Sequence, residues 1–215
     1  MLMILLVAAA KGLVVGALQI KRKGGLILSY ELDNEGVLVP SVKDIDGVDL
    51  NGVKWILLIE KEAKGYPDIS TRAFLRFLSK VHPAVPQQDP IPIYALVDFD
   101  PHGLCILSTY KYGSIALAHE NAQLTVSRIR WLGVKSTDLL ESNAGEAQGL
   151  LSLTARDRRK AVKMLGSEVF TEDAEWRREM QVMLFLNIKA EVQVMSEFRR
   201  MGLERWIEGK VLGNP

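Results

Sequence analysis

The chain has 215 residues, which is enough for one domain with a full hydrophobic core or for one domain with an appendage. Its composition, 48% hydrophobic and 25% charged residues, is typical of a globular protein and excludes a disordered or low-complexity chain. Because 27 lysines and arginines oppose 26 aspartates and glutamates, the net charge is only +1, and any basic surface for a nucleic acid must come from local clustering.

The cysteine content and the first ten residues indicate the cellular compartment in which the protein is expected. A single cysteine, Cys105, excludes an internal disulfide framework and a zinc site built from several cysteines, as is typical of a reduced intracellular compartment. The apolar start, Met1 to Ala10, lacks the basic lead-in of a signal peptide and is too short to cross a bilayer. We therefore predict a buried strand there, and we expect no membrane as a partner.

The first fifty residues alternate apolar runs with turn residues. Gly24-Gly25 and Asp46-Gly47 are turn signals between these runs. We predict short strands, some of them antiparallel, over four segments: Ile4 to Ala10, Leu13 to Ile20, Leu26 to Ser29 and Gly36 to Pro40.

Two continuous apolar runs, Trp55 to Ile59 and Ile93 to Val97, are typical of strands covered on both faces. Between them, Asp68 or Ser70 can cap a helix whose apolar residues follow helical spacing. A further helix is predicted over Leu104 to Tyr110. Strands that alternate with helices predict an α/β fold with a sheet flanked by helices.

The remaining segments are predicted from shorter patterns. Tyr112 to His119 is interpreted as a short strand or turn, and Ile129 to Val134 as a strand or connecting segment. Thr154 to Leu165 predicts a basic helix, with Thr154 as its cap and Asp157 at the third helical position. From Glu172 to about Leu212, the apolar pattern predicts one long helix.

Carboxylates stand where each of the two buried runs ends. Glu60 follows the first run, and Asp98 and Asp100 follow the second, on the same side if strand geometry persists. The carboxyl ends of parallel strands line a ligand crevice, and three acids gathered there repel one another unless a cation lies between them. Mg²⁺, which prefers oxygen ligands, is the predicted ion. The alternative is structural, with Asp98 capping the next turn and Asp100 packing before Pro101.

Four cations of the predicted basic helix fall on one face: Arg156, Arg159, Lys160 and Lys163. A run of charges is ordinarily a solvated face. The alternative is a ridge that follows DNA phosphates, for which binding falls steeply as salt is added.

Five short motifs occur in order along the chain: Ile59 to Ala63, Lys64 to Asp68, Asp98 to Gly103, Tyr110 to Ser114 and Trp131 to Val134. Together they resemble the Toprim domain of the type IIB topoisomerase A-type family, whose members are the A-type chain of archaeal topoisomerase VI and the eukaryotic meiotic double-strand-break protein. The resemblance spans nearly the whole chain and implies a Toprim-type, mostly parallel sheet flanked by helices. It divides the sequence into an N-terminal β segment over residues 1–50, a Toprim core over 51–150 and C-terminal helices over 151–215.

Two departures from the family pattern are expected to matter. Family members cut DNA with a tyrosine in an N-terminal winged-helix domain, and none of the five tyrosines here, at positions 30, 66, 94, 110 and 112, lies in that context. We therefore expect no catalytic nucleophile in this sequence. Family members also carry a helix and a strand between the first two motifs, whereas here Ala63 directly precedes Lys64, so one helix–strand unit is expected to be missing.

The resemblance implies a magnesium-dependent transesterification, in which a tyrosine attacks a DNA phosphodiester and stays joined to the 5′ end. The matching positions are Glu60, Asp98 and Asp100 as metal ligands. Their neighbours Glu62 and His102 are candidates to support those ligands; the alternatives are an exposed charge at a helix start for Glu62, and a phosphate contact or a bond to a backbone carbonyl for His102. Lys111 is a further candidate contact for DNA phosphate, with a solvated lysine as the alternative.

The family context also implies partners. Two A-type chains pair, so a homodimer or a pairing with a full-length A-type chain is expected on DNA, together with a B-type partner. If the protein is eukaryotic, it is expected in the nucleus. Two alternatives remain open: a non-catalytic DNA-binding or dimerisation module, including a degenerate gene product, and a phosphatase-like enzyme that uses Asp98 as its nucleophile.

Overall fold

The structure is a computed structural model that describes residues 3–8, 12–30, 36–50, 52–60, 68–81, 89–141, 149–193 and 202–213. The chain divides into two compact units, the first formed by Met1–Ala95 with Thr109–Arg130 and the second by Leu96–Ser108 with Trp131–Pro215. Among the described residues, none of the helices combines the length and the apolar composition needed to cross a membrane.

The N-terminal elements are mostly short strands. In chain order they are β1 (Met3–Ala8), β2 (Leu13–Gly16), β3 (Leu18–Arg22), β4 (Ile27–Tyr30), β5 (Val37–Leu38), β6 (Ile45–Asp49), β7 (Trp55–Glu60), the helix α1 (Ile69–Lys80) and β8 (Ile93–Leu96). In the first unit, neighbouring strands follow the order β5-β2-β1-β7-β8. β1 runs parallel to β7 and antiparallel to β2, while β4-β3-β6 form a separate antiparallel sheet.

The strand–helix–strand unit β7-α1-β8 carries a large part of the first unit's core. Trp55 to Leu58 are at most 2% exposed, as expected of a strand that is covered on both faces. Helix α1 begins where the Asp68 carboxylate accepts the N–H of Thr71 at 3.0 Å, which confirms one of the two predicted caps. The predicted apolar face of this helix is fully buried at Phe74, Leu75 and Leu78.

The C-terminal elements are mostly helices. In chain order they are α2 (Pro101–Tyr112), α3 (Asn121–Leu124), β9 (Arg130–Gly133), α4 (Ser136–Glu141), β10 (Leu150–Ser152), α5 (Ala155–Leu165), α6 (Glu168–Glu172), α7 (Ala174–Leu186), β11 (Ile188–Ala190) and α8 (Gly202–Leu212). In the second unit β10 pairs antiparallel with β11. The ring of Trp176 packs 5.7 Å from that of Phe170 and 6.5 Å from that of Trp131, which closes this unit's core.

The basic helix begins as predicted. The Thr154 side chain accepts the N–H of Asp157, and the Asp157 carboxylate accepts the N–H of Thr154, so the two residues form a capping box at the start of α5.

The prediction of one long helix from Glu172 to about Leu212 is wrong. Helix α7 ends at Leu186 because Asn187 adopts the left-handed conformation, with φ 56° and ψ 37°, which asparagine tolerates better than most residues. The chain then forms β11 and, after residues outside the described ranges, a separate helix α8. The segment predicted as a strand or turn over residues 112–119 instead ends α2 and enters a 3₁₀ helix, Ile115–Glu120.

The α/β fold class is confirmed: a sheet with a parallel centre is flanked by helices, with antiparallel strands at the N-terminal side and helices toward the C-terminal end. The domain boundaries at residues 50 and 150 stay predictions. Residues 61–67, where a helix–strand unit is expected to be missing, lie outside the described residues.

Candidate functional site

The aspartate pair lies in an extended segment just past β8. Half-buried Asp98 and Asp100 flank the fully buried Phe99, so the alternation of sides continues beyond the end of the strand. The backbone of Phe99 pairs with Ala190 of β11 in both directions, at 2.8 and 3.1 Å. Asp98 Oδ1 accepts the backbone N–H of Val192 at 2.8 Å, across a sequence separation of 94 residues. A distant part of the chain therefore holds this segment in place.

Asp100 caps the helix that follows. Its Oδ1 accepts the backbone N–H of Gly103 at 2.6 Å, and α2 begins at Pro101, a residue favoured at the first helical position. A β-carbon on Gly103 would lie 2.4 Å from the carbonyl oxygen of Asp98, so only glycine permits this close approach. Of the two structural roles considered for the pair, capping is carried by Asp100, whereas it was predicted for Asp98.

His102, in the first turn of α2, connects this segment to α5. The Nζ of Lys160 lies 3.0 Å from Nδ1 of His102, and Nε2 of His102 lies 3.6 Å from Oδ1 of Asp157. The other oxygen of Asp157 accepts the Lys189 ammonium at 3.0 Å and the backbone N–H of Thr154 at 3.0 Å. Side chains from α2, α5 and β11 therefore meet beside the aspartate pair. We call His102, Asp157, Lys160 and Lys189 the His102 network.

Burial and hydrogen bonding set the charges within the His102 network. Burial and the Lys160 ammonium lower the pKa of His102, although the carboxylates of Asp100 and Asp157 act in the opposite direction. The imidazole is therefore neutral at pH 7. Burial alone would raise the pKa of Asp157, but hydrogen bonds from Thr154 and Lys189 outweigh it and lower that pKa, so this carboxylate is ionised at pH 7.

The predicted basic face is present on α5. Arg156, Arg159 and Lys163 are exposed, whereas Lys160 is half-buried against His102. Arg158 lies off this face and donates from Nη1 to Asn187 Oδ1 at 2.9 Å. A role for the face in binding DNA stays a prediction.

Glu60 ends β7 in the first unit, where its side chain is only 6% exposed. Burial raises the pKa of the Tyr110 hydroxyl, and the charge of Glu60 raises it further, while Arg72 acts in the opposite direction. Arg72 is 1% exposed and donates from Nη2 to the Thr109 carbonyl at 3.3 Å. Glu60 therefore lies in a buried polar setting that includes a neutral tyrosine and an arginine.

The other predicted site residues are placed as follows. Glu62 lies outside the described residues, and half-buried Lys111 holds its ammonium 5.2 Å from the centroid of the Tyr112 ring. Within the part of the chain that the structure describes, no group of three or more histidine, cysteine, aspartate or glutamate side chains is arranged to hold a metal ion. A joint metal site of Glu60, Asp98 and Asp100 therefore stays a prediction. The donor chemistry of the aspartate pair, carboxylates oriented by backbone N–H groups, fits Mg²⁺.

Sequence reasoning missed three contributors to this region. Lys189 and the backbone of Val192 were assigned to a long helix, and Asp157 was interpreted only as part of a helix cap. A weak signal was available: Asn187 can end a helix, and the alternation of Ile188, Lys189 and Ala190 fits a short strand.

Comparison with known proteins matches residues 51–210 to one family model, which describes the Toprim domain shared by the A-type chain of topoisomerase 6 and Spo11. Meiotic recombination protein SPO11 of Homo sapiens is 32% identical over 216 residues, which cover 89% of this chain and 52% of that protein. The A-type chain of DNA topoisomerase 6 of Arabidopsis thaliana is 32% identical over 213 residues, covering 89% and 48%. Meiotic recombination protein rec12 of Schizosaccharomyces pombe is 34% identical over 223 residues, covering 95% and 59%. The chain thus spans about half the length of the curated relatives it matches.

Proposed function

The chain belongs to the family of the topoisomerase 6 A-type chain and Spo11, and from this premise we propose that it is the Toprim part of a protein that forms DNA double-strand breaks and so initiates meiotic recombination. Two of the relatives above are named for meiotic recombination and the third for topoisomerase activity. The family match covers both the aspartate pair and the basic helix, and it supports this function over the phosphatase-like alternative.

The observation that carries the proposal is the anchored aspartate pair. Asp98 and Asp100 each accept a backbone N–H, so their carboxylates are oriented before any ligand arrives. We propose that both are ligands of Mg²⁺, with Glu60 as a third. Mg²⁺ keeps several of its waters and is bound by few protein carboxylates, so Asp98 and Asp100 are sufficient to bind it. Whether Glu60 is a third ligand can therefore be tested separately. The bound ion would stabilise negative charge on the reacting phosphate.

The basic face of α5 supplies the sequence-independent part of DNA binding in this proposal. Its exposed cations lie in the same unit as the aspartate pair, and cations that neutralise backbone phosphates position a duplex without reading its bases. Lys111 is proposed as a further phosphate contact. Glu62 and His102 are proposed as neighbours that support the metal ligands.

The attacking tyrosine is proposed to come from sequence beyond these 215 residues. Tyr110 is fully buried and its pKa is raised, both of which suit a structural residue better than a nucleophile. The proposed partners are DNA, a second A-type chain (a further copy of this chain or a full-length one) and a B-type partner. The proposed compartment is the nucleus.

A non-catalytic DNA-binding module is the second candidate function. The observation that favours it is the structural use of the aspartate pair, because Asp100 caps α2 and Asp98 anchors the backbone of Val192. These two hydrogen bonds are reason enough for an oxygen acceptor at each position. The two functions share the basic face and differ in whether Mg²⁺ binds.

A thermal-shift measurement with MgCl₂ separates the two candidates. Mg²⁺ at tenfold its dissociation constant stabilises the folded chain by about 1.4 kcal/mol, which raises the melting temperature. Asp98→Asn with Asp100→Asn keeps both acceptors for the backbone N–H groups but removes the charges, so we expect the chain to fold and the magnesium-dependent rise to disappear. Glu60→Gln is expected to reduce the rise.

Asp46→Asn is the matched control, because Asp46 is exposed and pairs only loosely with Lys21, at 3.6 Å. An equal rise in the wild type and in the double variant would contradict the metal assignment. A wild type that binds DNA yet shows no rise at all would establish the non-catalytic module instead.

A further inference from the structure

His102 is engaged through both nitrogens of its ring. A lysine ammonium has only protons to give, so the 3.0 Å contact from Lys160 Nζ makes Nδ1 of His102 the acceptor. In a neutral imidazole the proton then resides on Nε2, the atom that faces Asp157 Oδ1 at 3.6 Å. The ring therefore lies between a cation that donates to one nitrogen and an anion that faces the other.

Asp157 is itself held from two directions. Its side chain is only 5% exposed, it completes the capping box of α5 with Thr154, and it accepts the Lys189 ammonium from β11 at 3.0 Å. Two independent elements thus fix the carboxylate that faces the His102 ring. Its position does not depend on a flexible surface side chain.

We infer that His102 is a positioning residue, which holds the Lys160 ammonium in place for a phosphate of the DNA backbone and does not itself contact that phosphate. The inference rests on the proposed DNA-binding function and goes beyond it by giving Lys160 a role distinct from that of its neighbours. Arg156, Arg159 and Lys163 are exposed on the same face, whereas Lys160 is half-buried and hydrogen-bonded.

The physical advantage of this arrangement is preorganisation. A free lysine loses about 1.5–2 kcal/mol of side-chain conformational entropy when it is immobilised, and a lysine already held in one conformation loses less on binding. One proton of the Lys160 ammonium is committed to His102, and an ammonium has three protons to donate. Asp100 and Lys160 both act electrostatically on the His102 ring, so the ring lies near the acidic segment as well as the held cation.

The test is a double-mutant cycle on DNA affinity, measured with the full chain by fluorescence anisotropy on a labelled duplex of about 20 base pairs over a series of salt concentrations. The salt slope is the steepness with which the logarithm of the binding constant falls as the logarithm of the salt concentration rises. Lys160→Ala is expected to weaken binding and to reduce this slope by about one, as for the loss of one phosphate contact. His102→Phe removes the nitrogen that accepts from the Lys160 ammonium. This variant is also expected to weaken DNA binding and to reduce the salt slope. The double variant is expected to be no weaker than Lys160→Ala alone.

Two further variants make the interpretation specific. His102→Asn offers an amide oxygen close to the place of Nδ1, so it can still accept from the ammonium and is expected to restore most of the salt slope, which a purely structural role for the ring does not predict. Lys80→Ala removes an exposed lysine at the end of α1 and is expected to leave the slope unchanged. If His102→Phe does not fold, His102→Leu carries the test, since its smaller side chain also lacks an acceptor.

The outcomes distinguish this inference from the function on which it rests. A wild type without salt-dependent DNA binding would overturn the proposed function. A wild type that binds normally, with additive effects of His102→Phe and Lys160→Ala or with an unchanged slope in His102→Phe, would overturn the positioning role alone.

Discussion

At the scale of single residues, Asp100 meets a structural and a proposed chemical requirement with the same group. Its Oδ1 caps α2 through Gly103, and a helix cap needs only an oxygen acceptor. A magnesium ligand needs in addition the negative charge. Asparagine at this position therefore satisfies the first requirement and fails the second, which is why Asp→Asn changes are the informative ones here.

Asp157 is expected to make stability depend on pH. Its pKa in the folded chain lies below the ordinary value, so its contribution is fully present above the unfolded pKa of about 4 and is lost as the pH falls through the folded pKa. At pH 7, Asp157→Asn removes a charged partner from Lys189 and is expected to cost about 1–3 kcal/mol of unfolding free energy. Urea denaturation at pH 7 and at decreasing pH below 4 measures this, and the gap between wild type and variant should narrow as the pH falls.

Asp46→Asn again provides the comparison, since its ion pair with Lys21 is more than half exposed on both sides and exposed pairs contribute about 0–1 kcal/mol. A gap for Asp157→Asn that stays constant with pH, or one no larger than that for Asp46→Asn, would contradict the assigned charge interaction.

At the scale of elements, the ends of the helices decide the arrangement of the second unit. The capping box starts α5 at Thr154, and the left-handed Asn187 stops α7, so the chain can return as β11 to pair with β10. This return brings Ala190 and Val192 to the aspartate segment. A continuous helix through residue 187 would leave that segment without these backbone partners.

Gly103, in the first turn of α2, is expected not to tolerate a side chain. In Gly103→Ala, the new β-carbon meets the backbone of Asp98 at 2.4 Å, and backbone cannot move aside cheaply, so we expect a loss of about 1–3 kcal/mol and a weaker magnesium-dependent shift. Gly166→Ala is the control, because Gly166, which directly follows α5, has φ −85° and ψ −2°, a conformation open to alanine, and the nearest atom to its new β-carbon lies 3.6 Å away. Thermal melts of both variants should show the loss for Gly103 only. Equal melting temperatures would mean that the close approach is not required.

At the scale of the whole molecule, charge distribution matters more than net charge. The chain is nearly neutral at +1, yet the second unit carries the exposed cations of α5 as well as the aspartate pair. A nearly neutral protein binds DNA only where cations cluster, because each neutralised phosphate needs a cation within reach.

A pair of matched charge variants tests this. Changing Arg156, Arg159 and Lys163 to glutamine lowers the net charge from +1 to −2, that is, by three positive charges, and is expected to reduce the salt slope of DNA binding by up to about three. Changing the exposed Lys23, Lys43 and Lys54 of the first unit to glutamine lowers the net charge equally and is expected to leave the slope nearly unchanged. Similar losses in both triple variants would show that the effect is one of net charge and not of the α5 face.

Features that depend on neighbours within a few residues were readable from the sequence. The caps at Asp68 and Thr154, the buried faces of β7 and α1, and the basic face of α5 all follow from side-chain period and from hydrogen bonds three residues apart. The acids at the ends of two buried runs were readable for the same reason, although no pattern shows whether their side chains converge on an ion.

Long-range pairing was decided only by the tertiary structure. The contacts that hold the aspartate segment and the His102 network join residues 94 and 58 positions apart, and a side chain's local pattern carries no record of such a distant partner. The sequence pattern fails to predict the end of α7 before Asn187 for a related reason. The apolar spacing on either side of Asn187 is compatible with a helix, and it is the pairing of β11 with β10 that favours the strand. The sequence by itself therefore determined the local elements and the kinds of charged group, whereas the positions of Lys160, Lys189 and Val192 around the aspartate pair came from the fold.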